Sequence, residues 1–380
     1  MSIQSEIDRI ITAVGSAYDA VESKGGTAPA AQTIGGLATA VGTIPTGIAP
    51  QMVVTASAGA TVTATNGSKT ISGTADSTGV CTLTVPEAGT WSVSATLGGQ
   101  TSNTKSVSIT GSYAVALSFV SSTLNNNEWS VIKSVSDAGQ GENYWSIGDR
   151  KAVTLNGTVG KLSLSNVTTY AFIIGFNHNA SVEGANRIHF QLAKTALTGG
   201  TDVCLCDSSY NSNVSTTGYF SMNSSRTNSG GWASSQMRTN ICGTSLSSYS
   251  GTIIAVIPAA LRAVLKSVTK YTDNTGGGST AASAVTATTD YFFLLSEYEV
   301  FGSITYGNTK ESSKQAQYAY YSAGNSKIKY NHSSTNTAVI WWLRSPYASG
   351  SSSFARVNAD GKVANAGAYY SRGFAPGFCV

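Results

Sequence analysis

The chain has 380 residues, a formal net charge of +4 and 11% charged residues, against about 25% in an ordinary soluble domain. Hydrophobic residues make up 41% and mean hydropathy is −0.01, so Ser, Thr, Asn and 40 Gly take the place of the missing charge. This excludes charge-driven disorder and a basic nucleic-acid stripe, and no apolar run approaches the ~20 residues of a transmembrane helix. What remains is a β-dominated protein with uncharged surfaces, a composition suited to exposed particles or adhesins. The length predicts two or three domains.

The N-terminus lacks a basic start, its apolar stretch is broken by Thr12, and Glu6 and Asp8 add acid, so it does not read as a secretory signal. Ile7, Ile10, Val14, Ala17 and Val21 follow a heptad seam. Lys24-Gly25-Gly26 predicts the helix end. Ile34, Leu37, Val41 and Ile44 repeat the spacing, and Ile44-Pro45-Thr46-Gly47 stops it. Residues 1–47 therefore read as a helical docking or oligomerisation segment, or as a helix folded onto its own chain.

Residues 48–120 switch to period two. Val53, Val62, Ala64, Ile71, Cys81, Leu83, Val85, Trp91, Val93, Ala95, Val107, Ile109, Val115 and Leu117 alternate with Thr and Ser, between turn signals that include Asn66-Gly67 and Gly98-Gly99. Short alternating strands at this spacing predict an all-β immunoglobulin-like sandwich. The segments 81–85 and 89–93 read as a hairpin, with Trp91 in the core. No site chemistry is visible, so a spacer is expected.

Residues 121–127 read as a polar linker, and residues 121–380 as one α+β domain. Residues 258–268 predict an amphipathic helix with Pro258 in its first turn. Ser296 and Glu299 have capping-box spacing. Residues 274–278 read as a flexible glycine loop, and 170–176 and 291–295 as buried strands. Residues 340–346 predict a bulky strand, followed by a loop of small residues at 347–353. A hairpin over 354–363 turns at Asp360-Gly361, and a second loop covers 364–373. Phe374, Pro376, Phe378 and Val380 alternate as a last strand, which Pro places at an edge. Fixed apolar residues thus alternate with loops of Ser, Asn, Gly and Tyr, the make-up of antibody paratopes.

Tyr170-Ala-Phe-Ile-Ile-Gly-Phe-Asn-His178, Phe293-Leu-Leu-Ser-Glu-Tyr-Glu-Val-Phe-Gly302, Gln317-Tyr-Ala-Tyr-Tyr321, Trp341-Trp-Leu-Arg-Ser-Pro346 and Gly373-Phe-Ala-Pro-Gly-Phe378 carry a resemblance. From about residue 123 onward the chain resembles the C-type-lectin-like variable proteins of diversity-generating retroelements, the class of the phage major tropism determinant. The N-terminal segment resembles phage tail-associated proteins. The resemblance implies a C-type lectin scaffold that holds Trp341, Trp342, Leu343, Pro346, Val357, Gly361 and Phe378. It also implies a diversified ligand-binding face of Tyr347, Ser349, Ser351, Ser352, Ser353, Asn358, Asp360, Asn365, Gly367, Tyr369, Tyr370 and Ser371, with Arg356, Lys362 and Phe374 beside it. Adenine-directed mutagenesis of Asn codons would generate largely this set of residue types.

The function so implied is a phage receptor-binding, tail-fibre protein, non-enzymatic and without a cofactor. Its partners would be a host-surface protein or glycan, the phage tail or baseplate through the N-terminal segment, and two further copies in a homotrimer. It would be made in the host cytoplasm and carried in the virion, with no nucleic-acid partner and no membrane insertion. A bacterial surface adhesin and a virion decoration protein without a specific ligand are the alternatives. The tripeptides of calcium-dependent sugar lectins do not occur, and no cluster of three carboxylates for calcium is visible in the sequence. Cys81, Cys204, Cys206, Cys242 and Cys379 have no disulfide or zinc spacing and read as buried thiols. His178, His189 and His332 read as isolated, with His178 a satisfied structural residue. Capping and the helix dipole account for Glu297 and Glu299.

Overall fold

The computed structural model describes residues 3–44, 49–98 and 100–380. The chain divides into two compact units, Met1–Phe119 and Val120–Val380. The expected stop at residues 45–47, the boundary after residue 47 and Gly99 of the Gly98-Gly99 turn lie outside the described residues.

In the first unit, helices α1 (Ile3–Ser23) and α2 (Ile34–Val41) share a small core of Tyr18, Val21 and Ala40, with Val14, Leu37 and Ile44 packed against it. Tyr18, which the heptad count passes over, donates its hydroxyl to Thr33 O at 2.8 Å. Thr33 caps α2 by accepting the Gly36 N–H. The early part of the predicted seam is only partly covered: Ile7 and Ile10 are 44% and 47% exposed.

The rest of this unit is β1 (Gln51–Thr55), β2 (Thr61–Thr65), β3 (Thr70–Thr74), β4 (Val80–Thr84), β5 (Gly89–Leu97), β6 (Gln100–Thr101), β7 (Lys105–Ile109) and β8 (Tyr113–Ala116). One sheet has the order β4-β1-β8 and the other β3-β2-β5-β6, with β7 also on β5. Their inner faces share one core around the fully buried Trp91. Two expectations need correction. Met52 and Val54 point inward and Val53 outward, because a one-residue shift exchanges the faces of a strand. Segments 81–85 and 89–93 are not a hairpin, since β4 pairs with β1 and β5 with β2 and β7. Val85 still bonds to Pro50 O, and Pro86, without an N–H, ends the ladder before the chain enters the second sheet.

The second unit is mixed α and β with sheets predominant. It opens with helix α3 (Trp129–Asp137) and continues through β9 (Arg150–Val159), β10 (Leu162–Phe176), β11 (Ile188–Lys194), β12 (Val203–Cys204), β13 (Val268–Asp273), β14 (Val285–Asp290), β15 (Phe292–Phe293), β16 (Lys329–Asn331), β17 (Ser334–Val339), β18 (Trp341–Pro346), β19 (Ser353–Val357), β20 (Val363–Gly367) and β21 (Gly377–Cys379). The largest sheet runs β15-β21-β11-β10-β9, and smaller ones are β12-β16-β17, β13-β14 and β18-β19-β20. One continuous apolar core holds Trp129, Phe172, Phe190, Trp232, Trp341, Trp342, Phe374 and Phe378.

Here too the structure departs from the pattern reading. Residues 121–127 are not a free linker: Leu124 and Asn127 are buried, and the Asn127 amide donates to Ser121 O and Thr123 O. The predicted helix over 258–268 shrinks to Ala259–Arg262, because Val268 is drawn into the six-residue pairing of β13 with β14. The terminal strand is interior, between β15 and β11, with Pro376 just outside its paired residues. Residues 364–367 belong to β20 rather than to a loop.

The core of this unit encloses charge. Lys270 Nζ lies 2.6 Å from Glu183 Oε2 and 3.0 Å from Glu299 Oε1, and donates to the Tyr318 hydroxyl at 2.8 Å. Arg344, from the Trp-Trp-Leu-Arg motif, grips Glu299 with both terminal nitrogens and donates to Thr272 and Leu294 O. All these groups are buried. Burial alone would raise the Glu299 carboxyl, but Arg344 and Lys270 hold it well below the carboxylate range. Burial pushes Glu183 up to about 7, against the pull of Lys270. His178 and His189 are neighbours rather than isolated, with ring centroids 5.5 Å apart. His178 stacks on Tyr318, and its Nε2 makes no hydrogen bond and lies 3.8 Å from Glu183, so it is not the satisfied residue expected. The five cysteines are buried free thiols.

Candidate functional site

The candidate surface is built on β18, β19 and β20. Arg356 on β19 lies opposite Trp342 and Ala364, and Ser353 lies opposite Gly367. The predicted residues therefore divide between the two ends of a short sheet. Tyr347, Ser349, Ser351, Ser352 and Ser353 gather where β18 meets β19, next to Gly367, Tyr369 and Tyr370. Ala368 N donates to Ser352 O and joins these two loops. Asn358, Asp360 and Lys362 form the turn at the opposite end, about 13 Å away along a five-residue strand. That turn uses Gly361 at φ +82° and an exposed Asp360–Lys362 pair at 3.5 Å.

Two predicted residues do not reach the surface. Ser371 is buried and donates its hydroxyl to Asp207 Oδ1 at 2.8 Å. Phe374 is fully buried against Phe220. Both lie where the C-terminal segment re-enters the core, so their place on the ligand face is corrected. Ser349, Ser351, Asp360 and Lys362 are exposed, while Tyr347, Ser352, Ser353, Arg356, Asn358, Asn365, Gly367, Tyr369 and Tyr370 are half-buried.

The loops have little regular structure, so their backbone must be held by other means. Asn228, wholly buried, donates its amide to Tyr347 O, Gly350 O and Ser353 O, and its backbone N–H donates to Ser351 O. Its Oδ1 accepts the Gly277 N–H at 2.8 Å, and Asp273 Oδ1 accepts those of Thr275 and Gly276. The predicted flexible loop over 274–278 is thus pinned. Gly276 has φ +61°, and a Cβ there would stand 1.9 Å from Asn228 O. Glu297 accepts the N–H groups of Thr305, Tyr306 and Gly307. Burial raises its carboxyl, and these three N–H groups oppose the rise. Tyr306, so placed, accepts the Ala348 N–H and meets Tyr347 edge to face at 5.8 Å. Ser296 and Glu299 form the predicted capping box. Capping alone does not account for Glu297 and Glu299, since one clamps a loop and the other carries the buried ion network.

The second loop is fixed in the same way. Val214 N donates to Tyr369 O, Asn211 N to Ser371 O and Ser371 N to Ser212 O. Tyr369 and Tyr370 pack on each other at 4.9 Å. Sequence reasoning missed Tyr210, Asn228 and Tyr306, which lie in irregular segments with no periodicity to mark them.

His178, Glu183 and Glu299 bring ligand-type atoms within 4.8 Å of one another. Lys270 already stands between the two carboxylates, so the chain supplies that cluster's cation itself. The surface offers tyrosine faces, hydroxyls, amides and guanidinium groups, a chemistry of contact and hydrogen bonding. Residues 208–380 are similar to a family described as a domain of unknown function (DUF6273). That segment contains all the predicted ligand-face residues and the clamps Asn228 and Glu297. No curated protein matches the chain.

Proposed function

We propose that this chain is a receptor-binding protein of a phage tail whose C-type-lectin-like head binds a host-surface ligand by non-covalent contact, without catalysis. The observation that carries the reading is the pair of Tyr- and Ser-bearing loops over 347–353 and 367–371, held by buried side chains and backbone bonds rather than by regular structure. Tyrosine gives contact area at low entropic cost, and preformed loops lose little freedom on binding. The retroelement resemblance adds that the exposed side chains vary while the clamps stay. In this reading the sandwich is an immunoglobulin-like spacer. The exposed Ile3, Ile7 and Ile10 on α1 suit a trimeric seam or a tail-docking face.

Adsorption of labelled full-length protein to a panel of bacterial strains tests the reading. Tyr369→Ala with Tyr370→Ala should abolish adsorption while the melting curve stays that of the parent. Unchanged adsorption would sink the binding-loop reading. For the seam, light scattering should give a trimer mass for the parent and a monomer mass for Ile7→Glu with Ile10→Glu; a monomeric parent refutes it. A reverse transcriptase and a near-identical template repeat beside the gene are expected if the loops are targets of retroelement mutagenesis.

A further inference from the structure

Two arginines, one half-buried on the candidate face and one buried behind it, lack the carboxylate partner that buried arginines ordinarily have. Arg372 is 6% exposed and Arg356 half-buried, and among the described residues neither forms an ion pair. Arg372 donates one terminal nitrogen to Asn211 Oδ1 and lies over the Tyr370 ring at 4.7 Å, while its Nε has no partner. Arg356 donates Nε to Asn365 O at 2.9 Å, and its Nη1 has no partner.

The pairing of β18 brings the two together. Arg356 lies opposite Trp342 on β19. On the other side of β18, Gly373 pairs in parallel with Trp341, which sets Arg372 beside Ile340. Alternation then places Ile340, Trp342, Arg356 and Arg372 on one face. Tyr210 lies at the same point, its hydroxyl accepting the Ile340 N–H at 2.7 Å. Burial lowers both guanidinium pKa values; the charge of Arg356 lowers Arg372 further, and Tyr210 opposes the shift in both. Two like charges held together with unfilled donors cost free energy that an anion at this point would recover.

We propose that Arg356 and Arg372, framed by Tyr210, Tyr306 and Tyr370, bind an anionic oxygen group, carboxylate or sulfate, carried by an acidic glycan. Guanidinium forks match such groups in pairs. The neighbouring tyrosine rings suit the C–H faces of sugars, and Ser349 and Ser351 their hydroxyls. The inference rests on the binding reading above and names the ligand class of that surface.

Full-length protein is titrated calorimetrically with oligogalacturonate, sulfated dextran oligomers and neutral dextran oligomers. The two acidic probes separate carboxylate from sulfate. At least one should bind tenfold or more tightly than the neutral probe, and its affinity should fall tenfold in Arg356→Gln and in Arg372→Gln. Because Arg372 is buried, the half-exposed Arg356→Gln, with an unchanged melting curve, keeps the test valid if the other variant misfolds. Arg356→Lys should retain part of the affinity that Arg356→Gln loses. Equal binding of neutral and acidic probes, no binding of either acidic probe, indifference to Arg356→Gln, or stronger competition by polyglutamate would each overturn the proposal. Normal adsorption of Arg356→Gln to cells, with adsorption lost in the tyrosine double variant, overturns the anion site and leaves the binding reading standing. Normal adsorption of both variants sinks both.

Discussion

The sandwich over residues 49–119 and the head over residues 120–380 are both rich in β structure, yet they bury different chemistry. Among the described residues of the sandwich, the buried set is apolar apart from Ser102. The head buries Lys270, Arg344, Glu183, Glu299 and Glu311, together with amides such as Asn228 and Gln191. In the sandwich, strand ladders satisfy the backbone, so apolar packing can hold it together. The head contains long irregular segments whose N–H and C=O groups need side-chain partners. Its buried polar groups do that work, and they fix the loops that carry the candidate surface.

The two units should differ most at the ion network. Arg344→Met should cost the head about 3–5 kcal/mol in urea unfolding, because Glu299 loses its bidentate partner. A loss under about 1 kcal/mol would mean that the network does not hold the head together. Trp91→Ala in the sandwich and Trp342→Ala in the head should each cost about 3–5 kcal/mol, through the burial lost and the cavity left behind. Asn228→Ala should cost about 1–3 kcal/mol. Its clearer signature is faster amide exchange confined to residues 347–353 and 275–277; uniform exchange changes would refute the clamp.

Burial raises Glu311 to about 7, as it does Glu183, so both favour folding below pH 4.5 and lose that contribution as pH rises through 7. His178 is lowered by burial and Lys270 to about 3, and His189 is lowered as well. These two weaken folding as pH falls below 6.5. The opposing pairs predict a flat melting temperature between pH 4.5 and 6.5 and a steep fall below it. Glu311→Gln should gain on the parent as pH rises from 5 to 9; a constant difference would show that the carboxyl titrates normally. The smallest effect belongs to the exposed faces of the sandwich. Thr82→Ala should shift stability by less than about 0.5 kcal/mol, and a larger shift would mean that this face packs on something.

Much of this was legible locally. The Ser296–Glu299 capping box, the 170–176 part of β10, the Trp341–Pro346 strand and the Asp360-Gly361 turn follow from residue spacing, because each is settled by neighbours within a few positions. Errors arose where a partner distant in sequence decides. The glycine loop at 274–278 looks flexible until Asn228 and Asp273 are placed beside it. The helix expected over 258–268 lost Val268 to pairing with Asp290, about two dozen positions further along the chain.

Composition and short-range pattern set the charge-poor surface, the alternation of Thr and Ser on the sandwich strands, and the Tyr-, Ser- and Gly-rich ending. Long-range pairing put β4 and β5 in different sheets and β21 inside its sheet. It also drew Ser371 and Phe374 into the core and brought Arg356 and Arg372 to either side of β18. The physical reason is range. Period and capping are properties of a few consecutive residues, whereas sheet order and the meeting of two cations depend on pairing between segments that the chain itself keeps apart.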